Sequence, residues 1–324
     1  ELSYPKNKIN VLLLEKVDKV AFDLFKEEGY NVESLDGSLD EKDLIKKIKD
    51  VSILGIRSKT IISDKVIKSA NKLLAIGAFC IGTNQIKFES CNDSGIVIFN
   101  APYSNTRSVV EIVIAQIINL MRKIVIKSNK MHLGVWRKDS LDSFEIRNKV
   151  IGIVGYGNIG SQLSVICEAL GMKVLYYDIV DKLSIGNAKK CKSLNDLLKN
   201  SDIVSLHVDG KKSNTNLISD KEFSIMKEKS ILVNYSRGNV VDIDSLIKNI
   251  KNKKLMGAAL DVFPEEPSNN KEKFESKVKG IEEIILSPHI GGSTKEAQKN
   301  IGSYVPDKII DFINSGNTSS SVNF

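Results

Sequence analysis

Three charged side chains stand just after runs that read as β-strands: Arg237 in NYSRGNVVD, Glu266 in ALDVFPEEP and His289 in SPHIGGST. His289 is one of three histidines in 324 residues, and it is held between a proline and, after Ile290, a pair of glycines. In an open parallel sheet the carboxyl ends of the strands line the ligand crevice, so these three groups can meet at one site. A histidine titrates near neutrality, taking a hydroxyl proton in one direction and returning it in the other. A neighbouring carboxylate orients the ring and favours its protonated form. An arginine holds a substrate carboxylate with its planar fork. Together they suit hydride transfer between a hydroxy acid and a nicotinamide. Singly, each has a plainer alternative: a surface ion pair for Arg237, a solvated carboxylate for Glu265 or Glu266, an idle loop position for His289.

A second constellation concerns the carrier of the hydride. VIGIVGYGNIGSQL (150–163) sets Gly155, Gly157 and Gly160 directly after an apolar β run. A helix follows, with Ile159, Leu163, Ile166, Cys167 and Leu170 on one face and Gly171 at its end. The first glycine permits the tight turn, the second lets the backbone approach a pyrophosphate, and the third lets the helix pack close to the sheet. Asp178 ends the next strand, 18 residues beyond Gly160. An acid there bonds the adenosine ribose hydroxyls and repels a 2′-phosphate, so NAD is expected rather than NADP. Lys182 softens that preference unless it is solvated. A bare glycine pattern is weak; the strand before it and the helix after it give this one its meaning. The alternative is an empty glycine turn in a doubly wound domain.

The elements that must position these groups alternate along the chain. INVLLL (9–14) is followed by Val17, Val20, Ala21, Leu24 and Phe25 at helical spacing, and Gly29 stops that helix. SILGI (52–56), LLAIGA (73–78) and IVIFN (96–100) continue the alternation. Ser108 and Glu111 read as a capping box opening a long helix, apolar almost all round from Val109 to Met121 and so buried. A tighter series follows: VIGIV (150–154), KVLYYD (173–178), DIVSLHV (202–208), SILVNY (230–235), MGAALDV (256–262) and EIILSP (283–288). A second box, Ser293 to Glu296, opens a last helix with a kink or break expected at Pro306. Strands alternating with helices imply parallel βαβ units. The pattern predicts two α/β domains joined by long helices, the last helix returning to the first domain.

Composition bounds the rest. The length allows two domains, and 42% apolar with 27% charged residues fits a globular chain. The net charge of +7 comes from lysines spread along the chain, without a basic block. That favours anionic ligands and argues against a nucleic-acid partner. The longest apolar run contains Glu111 and Gln116 and is too short for a bilayer, so no membrane partner is expected. Cys80, Cys91, Cys167 and Cys191 form no CxxC pair, which suggests free thiols and a cytoplasmic location. His132, His207 and His289 lack ligand spacing with the cysteines, so no metal is expected. The chain opens at Glu1 without a methionine, so the natural start is expected to lie upstream.

GYGNIG, YYD, NYSRGNVVD, GAALDVFPEEP and SPHIGGST occur in an order that resembles the D-isomer-specific 2-hydroxyacid dehydrogenases. FCIGTNQ (79–85), NAPYSNTRSVVE (100–111), GVWRKDSLDSFEIRNK (134–149) and PHIGGSTKEAQKNIG (288–302) extend the likeness over nearly the whole chain. The resemblance implies two doubly wound parallel-sheet domains. A Rossmann NAD-binding domain (105–292) is inserted in a discontinuous flavodoxin-like substrate domain (1–104 and 293–324). It implies His289 as acid/base, Glu266, which directly precedes the proline, as its partner, and Arg237 as holder of the substrate carboxylate. The NAD site would comprise Gly155, Gly157, Asn158, Ile159, Gly160, Asp178, Tyr235, Ser236, Arg237 and Asp261, with the turn His289, Ile290, Gly291, Gly292 closing one side and Gly291–Gly292 serving as a hinge. Arg57, Ser58 and Asn105 would face the substrate, with Lys59 adding charge near a phosphate.

The implied substrate is a small phosphorylated hydroxy acid. The rival within the family is an unphosphorylated one: glyoxylate, hydroxypyruvate or D-lactate. A rival of another class is an NAD(H)-sensing corepressor or scaffold. Trp136 and Lys138 match a segment that crosses a dimer interface in relatives, hence a homodimer or homotetramer; the alternative is helix-end packing. Three positions need explanation. Tyr235 stands where relatives carry a small residue, Asp209 replaces a common proline, and His207 is either a cofactor-side or a structural histidine. Some members continue beyond the matching VNF segment into a serine-binding regulatory domain; the expectation is that serine does not inhibit this chain.

Overall fold

The apolar runs become short parallel strands, and the amphipathic runs become helices laid against them. The computed structural model describes residues 4–267 and 271–324. The chain opens with β1 (Asn10–Leu13), α1 (Lys19–Glu27), β2 (Asn31–Ser34), α2 (Glu41–Lys47) and β3 (Ile53–Ile56). Next come α3 (Asp64–Lys68), β4 (Ala75–Ala78), α4 (Phe88–Asp93) and β5 (Val97–Asn100). Two helices, α5 (Thr106–Arg122) and α6 (Ile124–His132), precede β6 (Val150–Val154), α7 (Asn158–Ala169), β7 (Lys173–Tyr177) and β8 (Lys189–Lys190). The series continues with α8 (Leu194–Asn200), β9 (Ile203–Leu206), α9 (Asp220–Ile225), β10 (Ser230–Asn234) and α10 (Ile243–Lys251). It closes with β11 (Leu255–Leu260), β12 (Ile284–Leu286) and α11 (Lys295–Ser315).

The chain divides into two compact units, one of residues 1–105 with 294–324, the other of residues 106–293. The first holds a five-stranded sheet in the order β2-β1-β3-β4-β5, parallel throughout. This is the flavodoxin-like doubly wound order. Its α11 lies against β4, where a side chain added at Gly77 would come within 2.7 Å of Val305. The final residues are tied into the same unit. Phe99 bridges Ser321, and the Asn323 side chain accepts from the Ile98 N–H at 2.8 Å.

The second unit holds seven parallel strands in the order β12-β11-β10-β9-β6-β7-β8. The order reverses at β6, between β9 and β7, and the crevice at such a reversal is the place for a dinucleotide. Both faces are covered, as a parallel sheet requires. Ile231 and Val233 of β10 join the core containing α5 and α7, while Leu232 joins the opposite core with Leu246 and Phe223.

Several expectations are corrected. The α5 helix begins at Thr106, two residues before the expected cap, and Glu111 pairs with Arg107 one turn back at 2.7 Å. The N-cap of α11 is Thr294 rather than Ser293; its side chain accepts from the Ala297 N–H. Pro306 does not break α11. The N–H that proline lacks is offset by burying Ile301, Val305, Pro306 and Ile309 on one face. Trp136 and Lys138 do not pack at a helix end: they lie in an exposed loop after α6, and Trp136 is 76% exposed.

Candidate active site

The glycine turn between β6 and α7 has the shape its sequence demands. Gly155 has φ of +91°, and a side chain there would lie 2.4 Å from the His207 carbonyl on the neighbouring strand end. A side chain on Gly160 would lie 2.2 Å from the Gly155 carbonyl, so only glycine lets the helix start this close to the strand. Gly157 has nothing within 4 Å on its side-chain side. It is also the N-cap of α7, and no side chain caps that end. Open space beside uncapped helix N–H groups fits the pyrophosphate of NAD. Asn158 and Ile159 begin the helix, Asn158 exposed and Ile159 packed partly on the core.

Asp178 follows β7 and accepts from the Tyr156 N–H at 2.7 Å and the Val180 N–H at 2.9 Å. The carboxylate therefore braces the glycine turn, and its remaining lone pairs are available to ribose hydroxyls. A cavity of about 500 Å³ beside it is lined by Tyr177, Asp178, Ile179, Lys190, Cys191 and Lys192. The basic groups at this cavity come from the edge strand β8 and the residues after it rather than from Lys182. The Lys182 carbonyl instead accepts from the Tyr176 hydroxyl at 2.7 Å.

At the other strand ends the three charged residues converge. His289 Nδ1 lies 2.7 Å from Glu266 Oε2, and Glu266 Oε1 accepts from the Phe263 N–H at 3.1 Å. Glu266, rather than its neighbour Glu265, is the carboxylate that reaches the imidazole. That bond places a proton on Nδ1 and leaves Nε2 free for proton exchange. The hydrogen bond and charge of Glu266 hold the His289 pKa above its ordinary value, against the opposing effect of burial. Burial pushes Glu266 upward, but the bond to His289, the imidazole charge and Arg237 together hold it below the usual carboxylate value. As the acid for carbonyl reduction, protonated His289 would make reduction weaken as pH rises through its pKa and oxidation strengthen. Glu266→Gln removes the anion, and pH–rate profiles should show both transitions moved to lower pH. Reduction at neutral pH should fall about tenfold.

Arg237 is presented by a turn that Asn234 organises. Asn234 Oδ1 accepts from the Ser236 N–H at 3.1 Å and the Ser236 hydroxyl at 2.8 Å, while its Nδ2 donates to the Arg237 carbonyl at 3.0 Å. Arg237 Nη1 donates to the Ser236 carbonyl at 2.6 Å. The sequence reading passed over Asn234, although an asparagine two residues before a small polar residue at a strand end is the signature of such a turn.

Asp261 is buried and accepts three hydrogen bonds: from Ser287 Oγ at 2.6 Å, the Ile290 N–H at 2.9 Å and the Gly291 N–H at 2.7 Å. Burial holds its pKa above the ordinary value although those donors pull it down. Asp261 thus fixes the turn that carries His289, itself at φ of +52°. Ile290 is 42% exposed, and Gly292 is half-buried beside it. Tyr235 points into the core. Its ring is buried against Gly291, and its hydroxyl lies 3.0 Å from Ser287 Oγ. Burial pushes its pKa up to about 12, so it stays a neutral link. Ser287 is a second residue that spacing alone did not single out.

His207 bonds Ser205 Oγ through Nε2 at 2.9 Å, and burial lowers its pKa to about 4, so it is a neutral strand-end histidine. Asp209 takes over turn formation from the missing proline, accepting from Asn214 Nδ2 at 2.8 Å and the Lys211 N–H at 3.2 Å. Arg57, Ser58 and Asn105 belong to the five-stranded unit: Arg57 is half-buried after β3, Ser58 is exposed, and Asn105 directly precedes α5. Among the described residues no three His, Cys, Asp or Glu side chains are grouped to hold a metal ion, and no helix is long and apolar enough to cross a membrane.

Residues 114–291 match the family described as D-isomer specific 2-hydroxyacid dehydrogenase, NAD binding domain. The chain is 50% identical over 322 residues to D-3-phosphoglycerate dehydrogenase of Dictyostelium discoideum, covering 99% of this chain and 79% of that one. It is 47% identical over 325 residues to the enzyme of that name from Escherichia coli K12, covering 100% and 79%. A D-lactate dehydrogenase with NAD+ from Lactobacillus jensenii superposes with a TM-score of 0.82 at 27% identity, covering 97% of this chain and 99% of that one. By fold, glycine turn and these relatives, the chain belongs to the D-isomer-specific 2-hydroxyacid dehydrogenases.

Proposed function

We propose that the protein oxidises 3-phospho-D-glycerate to 3-phosphohydroxypyruvate with NAD, the step that opens serine biosynthesis. The observation that carries the mechanism is the 2.7 Å contact between His289 Nδ1 and Glu266 Oε2, with Nε2 left free. NAD, when bound, supplies the hydride acceptor. Nε2 of neutral His289 takes the substrate hydroxyl proton in oxidation and returns it in reduction. Glu266 keeps the imidazole in the required tautomer and stabilises its charged form. Arg237 binds the substrate carboxylate and sets the reacting carbon against the nicotinamide. Gly155, Gly157, Asn158, Ile159, Gly160 and Asp178 hold the dinucleotide, with Ser236 and the turn His289–Gly292 along its nicotinamide end and Tyr235 and Asp261 buried behind that turn as its support.

The substrate's phosphate is assigned to Arg57, supported by Ser58, Lys59 and Asn105. The comparison that tests this is NADH consumption with 3-phosphohydroxypyruvate against unphosphorylated hydroxypyruvate. The phosphorylated substrate should be preferred by kcat/KM, and Arg57→Ala should reduce that preference by about a hundredfold, as loss of a charged hydrogen-bonding partner does. Equal rates on the two substrates in the unaltered protein would make it a general hydroxyacid reductase. Four free cysteines support a cytoplasmic location. The exposed apolar side chains of Met131, Leu133, Val135, Trp136 and Leu141 support a homodimer or homotetramer.

A further inference from the structure

FCIGTNQ (79–85) has no part in the chemistry above, yet its last residue grips the loop that carries Arg57. Gln85 Nε2 donates to the Arg57 carbonyl at 2.6 Å, and the Gln85 carbonyl accepts from the Ile62 N–H at 2.8 Å. Glu15 holds the same loop at other points. It stands just beyond β1, whose Leu13 pairs with Gly55 of β3, and it is buried. Its Oε2 accepts from the Lys59 N–H at 3.0 Å and its Oε1 from the Thr60 N–H at 2.8 Å. Glu15 is itself fixed, at φ of +63°, by its N–H donating to the Gly37 carbonyl at 3.0 Å.

This is a costly way to satisfy a few backbone groups. Lys59 is exposed, and water could serve its N–H; a buried carboxylate has to give up its hydration to do the same. What the arrangement gains is rigidity. The strand ladder ends at Ile56, whose carbonyl accepts from the Phe79 N–H at 2.7 Å. Beyond that point the cationic segment 57–60 has its backbone held from Glu15 and from Gln85, while among the described residues neither the Arg57 guanidinium nor the Lys59 ammonium is engaged in an ion pair. A group held in place before binding loses less freedom on binding than a mobile one.

We propose that Glu15 and Gln85 are positioning residues for phosphate recognition. They fix the backbone of residues 57–60 so that Arg57 and Lys59 meet the phosphate of the hydroxy acid as a preset pair. The inference rests on the reading that this chain acts on a phosphorylated hydroxy acid through Arg57.

The test measures KM and kcat for 3-phosphohydroxypyruvate and for hydroxypyruvate in the unaltered protein, Glu15→Gln, Gln85→Leu and Arg57→Ala, with melting temperatures alongside. Glu15→Gln keeps the side chain's size but turns an amide NH2 toward a backbone donor. In both Glu15→Gln and Gln85→Leu, KM for the phosphorylated substrate should rise about tenfold while its kcat and the KM for hydroxypyruvate stay nearly unchanged. A merely structural role would move both substrates together and lower the melting temperature, and that result overturns the proposal. An unchanged ratio in these two variants beside a collapsed ratio in Arg57→Ala overturns the positioning role alone. An unchanged ratio in Arg57→Ala removes the phosphate assignment and the proposal with it. Two variants from different attachment points keep the test independent of whether either one folds.

Discussion

His289→Asn should lower kcat for reduction of 3-phosphohydroxypyruvate by about a thousandfold, since a positioned acid/base typically contributes a factor of this order. Asparagine is the instructive replacement because position 289 is left-handed, at φ of +52°, a conformation asparagine tolerates better than alanine. The turn then survives while the titrating nitrogen is lost. With NADH held mainly by the turn from Gly155 to Gly160, as proposed above, its affinity should change far less, which a fluorescence titration would read. The remaining activity should also lose the pH dependence set by the Glu266–His289 pair. A variant that keeps more than a tenth of the original kcat would remove His289 from the proton-transfer role.

Asp261→Ala should produce the largest loss of stability among the site residues. It leaves the Ser287 hydroxyl and the Ile290 and Gly291 N–H groups without their acceptor in a buried place. Unsatisfied donors cost about 1–3 kcal/mol each, partly offset here by removing a buried carboxylate. A net loss of about 3 kcal/mol corresponds to a melting temperature lower by roughly 10 °C for a unit of this size. Because Ile290 and Gly291 directly follow His289, kcat should fall as well. Asp261→Asn, which retains one acceptor oxygen, should lie between the two. Calorimetry on the three proteins measures this, and equal melting temperatures would show that the turn is held by other contacts.

The strands that matter were legible because a parallel strand covered on both faces is a plain apolar run. VIGIV and SILVN are of this kind, buried at nearly every position. The strands β2 and β8 escaped for the opposite reason. NVES buries only Val32, and β8 is two exposed lysines at a sheet edge. Helix starts were misplaced where two hydroxyl residues were close enough to compete, as Ser293 and Thr294 do; backbone geometry, rather than residue type, selects between them. Within the site, residue type and strand-end position pointed to Arg237, His289 and one of the two glutamates at 265 and 266, and the family resemblance selected Glu266 as the partner of His289. The links that hold them were hidden because they join distant segments: Tyr235 to Ser287, and Ser287 to Asp261. The direction of Tyr235 was likewise fixed by where Gly291 and Ser287 come to lie, which no local pattern carries.

The discontinuity of the five-stranded unit bears on how the protein is made. Its sheet is encoded before residue 105, but the helix that covers β4 and the Asn323 side chain that engages β5 come from beyond residue 294. At ribosomal rates the intervening residues take on the order of ten to forty seconds to emerge. Throughout that interval Phe99, Val97 and Ala75 lack Ile301, Val305 and Ile309, their neighbours in the finished core. The contiguous seven-stranded unit can complete its fold first. The strands β1 to β5 are thus synthesised before the seven-stranded unit but covered after it, and the nascent chain's period of exposure to chaperones and to self-association falls on this sheet.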